Sequence, residues 1–382
     1  MRRKIYFLFD RLTLNLITVA FLIFAKVTQF FFLPNKYFYD SNAILRYVRF
    51  TPSYVDKAYR FTAAFYRAID VFHFTSIRQW AVLLPFPFFF MYAGMTKRNQ
   101  KFSVAEMSFF LCNIFLSGVY VFNISKDAIQ LCFFFLIYCV IVSKQIQKEE
   151  IVWAGVFLIL CFEGWVFRNY YFFIAAVFLS FYAVRKKGLI ANWSFFQFAA
   201  ISILSFFLFV FVVRLVSPST YQSIATARNG VNRWRIGASD AASMIDDLIH
   251  IKFPFLNWML NYLLNGFRMF FPVELLFKHV KYFPFVLYQF LLTWFYSKSY
   301  RKCLSENYRF MVSFFLYTSF VLVSIDFEPD FGSWIRHEST LWPIFFLLFF
   351  HDTPLSEFTK EQQNTTETKT LRQRTSAPLG GR

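Results

Sequence analysis

The sequence predicts an all-α, polytopic integral membrane protein of about ten transmembrane helices with one additional re-entrant or interfacial helix. Three observations predict it. Of its 382 residues, 57% are hydrophobic and only 16% charged, whereas a soluble chain keeps about a quarter of its residues charged. Apolar runs of near-spanning length recur from end to end. Lys and Arg gather in alternate connections between those runs, as membrane topology demands.

The runs fall at about 12–33, 79–95, 104–122, 128–143, 151–167, 169–184, 196–216, 282–297, 310–325 and 335–351. The first follows MRRK and imitates a secretory signal. It is longer than a signal's apolar core and lacks a small-residue cleavage site, so a retained helix is expected. Segment 255–272 is also apolar, but Pro254 and Pro272 bound it and Arg268 interrupts it. That pattern suits backbone lining a cavity and predicts the re-entrant or interfacial helix. The bundle is thus expected over 1–351, followed by a Thr- and Gln-rich cytoplasmic tail, 352–382, with a disordered composition. Sixty phenylalanines supply bulky apolar surface and carry no functional weight. Cys112, Cys132, Cys139, Cys161 and Cys303 show no spacing of a disulfide framework or zinc site.

Orientation follows from the basic connections. Arg2, Arg3, Lys4 and Arg11; Lys97, Arg98 and Lys101; Lys144 and Lys148; Arg185, Lys186 and Lys187; and Lys298, Arg301, Lys302 and Arg309 belong on the cytoplasmic side. Both termini are then cytoplasmic, and 34–78, 217–281 and 326–338 are external. The external loops still carry a basic surplus, which topology does not require and which fits an anionic ligand.

Five polar patches fall on that outer face. Segment 34–78 holds Asp40, Arg46, Arg49, Arg60, Arg67, Asp70 and His73 among aromatics, a composition that also suits an interfacial amphipathic helix. The turn NISKD, Asn123–Asp127, offers Asp127 as a catalytic candidate, against the plainer reading that Lys126 and Asp127 pair and cap a helix. FRNYY, Phe167–Tyr171, places Arg168 near Glu163, and a structural Glu163–Arg168 pair is the competing reading. RNGVNRWRIG groups Arg228, Arg233 and Arg235 with Gly230 and Gly237. Guanidinium groups match phosphate oxygens bidentately and glycines allow close backbone approach; a basic loop on anionic headgroups is the alternative. IDFEPDFGSWIRHE packs Asp326, Glu328, Asp330, Arg336, His337 and Glu338 into one turn. Arg336 and His337 are expected to start the last helix, where the dipole disfavours cations, so a nearby anion is expected to offset them. Lys26, Arg214 and Arg268 are expected to snorkel to the interface. No metal-ligand spacing, Walker A or GxGxxG motif occurs.

Outward-facing arginines with carboxylates and a histidine suit transfer of a sugar from a lipid diphosphate. Positive donors stabilise the departing diphosphate, and a base takes the acceptor's proton. The helix pattern, the large external loop with RNGVNRWRIG, FRNYY and above all DFGSWIRH give a chain that resembles Wzy-type polysaccharide polymerases. The resemblance spans most of the chain and is carried by topology more than by sequence.

It implies a metal-independent, inverting glycosyltransferase with a GT-C-like bundle and no cofactor, in the bacterial inner membrane with a periplasmic active site. Such an enzyme polymerises undecaprenyl-diphosphate-linked repeat units into O-antigen, capsule or exopolysaccharide. By that analogy Arg168, Arg228, Arg233, Arg235 and Arg336 are diphosphate-binding candidates, and His337, Asp330 and Asp127 are candidates for the base or for orienting the acceptor. The partners it implies are lipid-linked donor and acceptor glycans, membrane lipids and a chain-length regulator protein, with no nucleic acid. The rival readings are an O-antigen ligase, which shares the donor chemistry, and a flippase or other transporter, which should place charges along the membrane midplane.

Overall fold

A computed structural model of the chain describes residues 6–50, 55–96, 99–189, 193–235, 243–305, 307–350 and 355. It is mostly helical. The helices are α1 (Arg11–Phe31), α2 (Tyr39–Arg49), α3 (Lys57–Ile69), α4 (Ile77–Leu83), α5 (Pro85–Met95), α6 (Val104–Leu116), α7 (Lys126–Val142), α8 (Glu149–Val166), α9 (Tyr171–Lys186), α10 (Phe195–Val216), α11 (Pro218–Arg235), α12 (Pro254–Phe270), α13 (Glu274–Lys278), α14 (Phe283–Ser305), α15 (Tyr308–Phe327), α16 (Phe331–Thr340) and α17 (Trp342–Phe349). A π-helical turn, Ser117–Val121, extends α6. One departure from an all-α chain is a short antiparallel strand pair, Tyr6–Asp10 with Asn99–Ser103.

Local sequence explains the boundaries. Capping boxes open α4, α6 and α10: Ser76 with Gln79, Ser103 with Glu106, and Ser194 with Gln197. In each, hydroxyl and N3 side chain satisfy donors that the first turn leaves free. Ser125 accepts from the Ala128 amide to open α7, so the NISKD turn is a capped start, with Asp127 in the first turn where the dipole favours it.

Among the described residues, four helices are long and apolar enough to cross a membrane: Arg11–Phe31, Val104–Val121, Phe195–Val216 and Tyr308–Phe327. This is the mark of a membrane protein. The outer faces of α1 and α10 expose Leu12, Leu16, Ile23, Phe24, Leu204, Leu208, Leu215 and Val216, which suits lipid contact and not water. The other expected spans fall short in length or hydropathy, carry too many charges, or are broken. The 79–95 run divides into α4 and α5 at Leu84, and the 335–351 run into α16 and α17 at Leu341. Pro85 and Pro343 stand just inside the second helix of each pair, where a missing N–H costs least.

Helix α15 is the axis of the bundle. Nearly every residue from Arg309 to Asp326 is buried, and it packs against α7, α8, α9, α11, α12, α14 and α17. Helix α12 presents Trp258, Asn261, Tyr262, Asn265 and Met269 as one buried stripe, the spacing of a helix lying against a core. Two of the three cations expected to snorkel are instead internally paired. Lys26 donates to Gln29 Oε1 (2.9 Å) and the Phe122 carbonyl (2.7 Å). Arg268 makes a forked bond to Glu274 at 2.6 and 2.8 Å. Arg214 lies over the Tyr221 and Phe255 rings. The C-terminal tail lies outside the described residues, apart from Leu355.

Candidate functional site

Four of the expected polar segments meet at one end of the bundle. Asp127 enters from the first turn of α7, Arg168 from the α8–α9 junction, Arg336 and His337 from α16, and Asp40 from the start of α2. They converge because α7, α8 and α16 all reach this end with a polar terminus, and a bare carboxylate or guanidinium there must find a partner.

Asp127 is the hub. Its carboxylate lies 3.4 Å from Arg168 Nη2, 2.9 Å from Arg336 Nε and 3.4 Å from His337 Nε2. Arg168 also donates to Gln130 Oε1 and, at 3.0 Å, to the Tyr170 hydroxyl. His337 Nδ1 is 2.6 Å from Glu328 Oε1. Carboxylates thus face both ring nitrogens of His337, Glu328 at Nδ1 and Asp127 at Nε2. Nε2 itself is buried and has no hydrogen-bond partner.

A second carboxylate, Asp40, forms the rim. Lys126 Nζ and Arg336 Nη2 approach the same Asp40 Oδ2 at 3.5 and 3.4 Å, and the Tyr59 hydroxyl donates to its other oxygen. Burial opposes its charge, but Lys126, Arg336 and that hydroxyl outweigh burial and hold the carboxyl down at about 2. Burial and the adjoining Asp40 charge push the Tyr59 hydroxyl well above its ordinary range. The side chains grade in access: Asp127 and Glu328 are 3% exposed, whereas Arg336 and Asp40 are 22% and 24% exposed. Three basic side chains, Arg168, Arg336 and Lys126, thus stand among three acidic ones, Asp40, Asp127 and Glu328. Its more accessible members, Arg336 and Asp40, lie at the rim.

Several expected pairings are replaced. Lys126 joins Asp40, not its neighbour Asp127. Arg168 turns to Asp127, and Glu163, fully buried, makes no ion pair with it. Arg336 and His337 do not open the last helix; they fall in the second half of α16, because the chain breaks at Leu341. The dipole there favours cations, so the anions beside them answer to the ion-pair network and not to a helix start.

RNGVNRWRIG is not a loop but the second half of α11 up to Arg235. Arg228 is buried and committed to the end of α15: it donates to the carbonyls of Glu328 (2.9 Å) and Ile325, with Asp247 3.7 Å away. Free carbonyls at a helix C-terminus attract such a cation. Arg228 thus fixes the turn that carries Glu328 and has little left for a ligand. Asp330 caps α16 through the Ser333 amide (2.8 Å) and hydroxyl (2.9 Å). Arg233 is exposed on the wall of a separate cavity. A Cβ at Gly230 would meet open space, so nothing there requires glycine. Gly237 and the Arg235 side chain lie outside the described residues.

Two further members, Glu328 and Asp40, stand in the sequence only as acids among several, Asp40 in a segment whose composition also suits an interfacial helix. The signal for Glu328 was its place nine residues before His337. Nothing local marks Asp40, which is brought in by the packing of α2 on α3. No group of His, Cys, Asp and Glu among the described residues is arranged to hold a metal ion. Comparison with protein-family models, with curated proteins and with solved structures gives no match.

Proposed function

We propose that this protein is a membrane glycosyltransferase that uses an undecaprenyl-diphosphate-linked oligosaccharide as donor and polymerises such repeat units on the outer face of the bacterial inner membrane. The observation that carries the reading is the convergence of Arg168, Arg336 and His337 on Asp127 at one end of the bundle. Two guanidinium groups held by a shared carboxylate are preorganised for the charge that develops on a departing diphosphate.

The residues divide the work. Arg336 and Lys126, at the rim, leave Asp40 for the incoming diphosphate, so Asp40 acts as the stand-in anion of the resting site. Arg168, anchored by Asp127 and Tyr170, receives charge deeper in. His337 is the base that takes the proton of the acceptor hydroxyl as the glycosidic bond forms and the diphosphate departs, and Glu328 and Asp127, one at each ring nitrogen, stabilise the resulting imidazolium. Asp127, surrounded by cations, is a poor base and serves as the anchor.

The test uses purified protein in nanodiscs with a synthetic undecaprenyl-diphosphate oligosaccharide. Wild type is expected to build ladders of repeat units without other proteins. Arg336→Ala and His337→Gln should each lose about 10²-fold or more in rate; Arg336→Ala strands Asp127 and Asp40 and should also melt lower, whereas His337→Gln should retain the wild-type melting temperature within a few degrees. Full-length ladders from both variants would sink the assignment, as would reporter fusions that locate residues 326–338 in the cytosol.

A further inference from the structure

Beside the ion-pair cluster lies a cavity of about 300 Å³, lined by Asn229, Asn232, Arg233, Met244, Asp246, Asp247, His250 and Asn257. It stands at the small end of ligand pockets, which are mostly apolar. This one is not: among its described lining residues Met244 is the single apolar side chain. Its lining sets Asp246 and Asp247 against Arg233, and Asp247 lies 3.7 Å from Arg228 behind it. A diphosphate needs an excess of positive charge, and the wall offers none. What it offers is a mixture of amide, carboxylate, imidazole and guanidinium groups, donors and acceptors side by side. Asn232 is buried, and its amide nitrogen is engaged by the Ile245 carbonyl at 3.1 Å; its amide oxygen has no partner. That balance is the chemistry of a polyol site, where each hydroxyl both gives and accepts a hydrogen bond.

The wall is rigid where it must be. Asp247 takes amide donors from Asn229 and Asn265, both at 2.9 Å, and the Asn257 amide oxygen accepts from the Ile251 backbone at 2.9 Å. It also shares a partition with the cluster. The Ile245 amide bonds the Pro329 carbonyl at 3.0 Å, and Met244 bridges to Asp330. Segment 244–247 therefore runs along the turn that carries Glu328 and leads to His337.

We infer that this cavity is a saccharide subsite that seats an uncharged sugar ring next to His337, and that Arg233 serves it as a hydroxyl ligand. The inference rests on the glycosyltransferase reading for its purpose but not for its chemistry, and the two fail separately.

The probes are neutral sugars (glucose, galactose, rhamnose and N-acetylglucosamine) and inorganic pyrophosphate, each added to the full chain in nanodiscs. Saturation-transfer NMR should detect at least one sugar, and its signal should fall at least fivefold in Asp246→Ala and His250→Ala, both exposed residues. Pyrophosphate binding, followed by calorimetry, should be unchanged in those two variants and lost in Arg336→Ala. No transfer to any sugar, or transfer untouched by both variants, overturns the subsite. Loss of pyrophosphate binding in Asp246→Ala and His250→Ala also overturns it, by making the cavity a phosphate site. Sugar binding without pyrophosphate binding in wild type leaves the subsite standing and removes the diphosphate reading.

Discussion

The two ends of the bundle treat charge in opposite ways. At one end, the start of α8 and the end of α9 carry Glu149 with Arg185 (2.8 Å) and Glu150 with Lys186 (2.6 Å), and the second pair is about half exposed. Each is a simple pair of one acid with one base, and Arg309 nearby spends its guanidinium on the carbonyls of Ile141, Ser143 and Ile146, the end of α7 and the turn after it. At the other end, roughly 25 Å away along helices of this length, one buried carboxylate serves two arginines and a histidine, and a second serves a lysine, an arginine and a tyrosine. Exposed pairs cost little to form and contribute little. A buried, shared network is costly to assemble, and removing one member strands the rest. Stability alone would be served by the first kind, and the proposed function draws on the second.

That contrast can be broken experimentally. The largest effect belongs to Asp127→Ala, which leaves Arg168, Arg336 and His337 without their common anchor. Transfer from the lipid-linked donor should vanish, and unfolding in detergent should come about 3–5 kcal/mol more easily; a variant of wild-type stability would show that the hub is not one. Next, Arg168→Lys keeps the charge but loses the forked geometry, and a rate drop of about tenfold or more is expected, while a rate equal to wild type would reduce Arg168 to a point charge.

A third test uses pH. Asp40 sits at about 2 against an ordinary value near 3.9. Its charge therefore stabilises the folded protein fully above about pH 4, and that contribution, at most on the order of 2 kcal/mol, is lost as pH falls toward 2. The melting-temperature gap between wild type and Asp40→Asn should shrink across that window; a gap independent of pH would mean that Asp40 is not ion-paired. The same variant should bind pyrophosphate more tightly, because the stand-in anion is gone. The smallest effect belongs to the opposite end: Lys186→Ala should shift stability by no more than about 0.5 kcal/mol and leave transfer unchanged, and a large loss there would erase the distinction between the ends.

Much of the site was legible before any coordinates. Asp127, Arg168, Arg336 and His337 each stood out as a charged or titratable residue in a short polar turn between apolar runs. Their partners were not legible. Local spacing put Lys126 with Asp127 and Glu163 with Arg168, the nearest opposite charges in sequence, and both pairings gave way to contacts from distant helices. Arg228 and Asp330 were prominent for the same reason as the others, yet the fold spends them on helix ends, Arg228 on the carbonyls of α15 and Asp330 on the first turn of α16.

The apolar runs and the basic connections by themselves determined a helical chain with segments suited to a membrane, since burial of backbone in an apolar medium permits little else. They also determined that the polar termini 126–127, 168 and 336–337 gather at one end, because antiparallel helices return the chain to the same side. Which carboxylate meets which guanidinium was left to the tertiary structure. Over a few ångströms of low-dielectric interior the energy of a charge depends on everything packed around it, and a one-dimensional pattern carries no such distances.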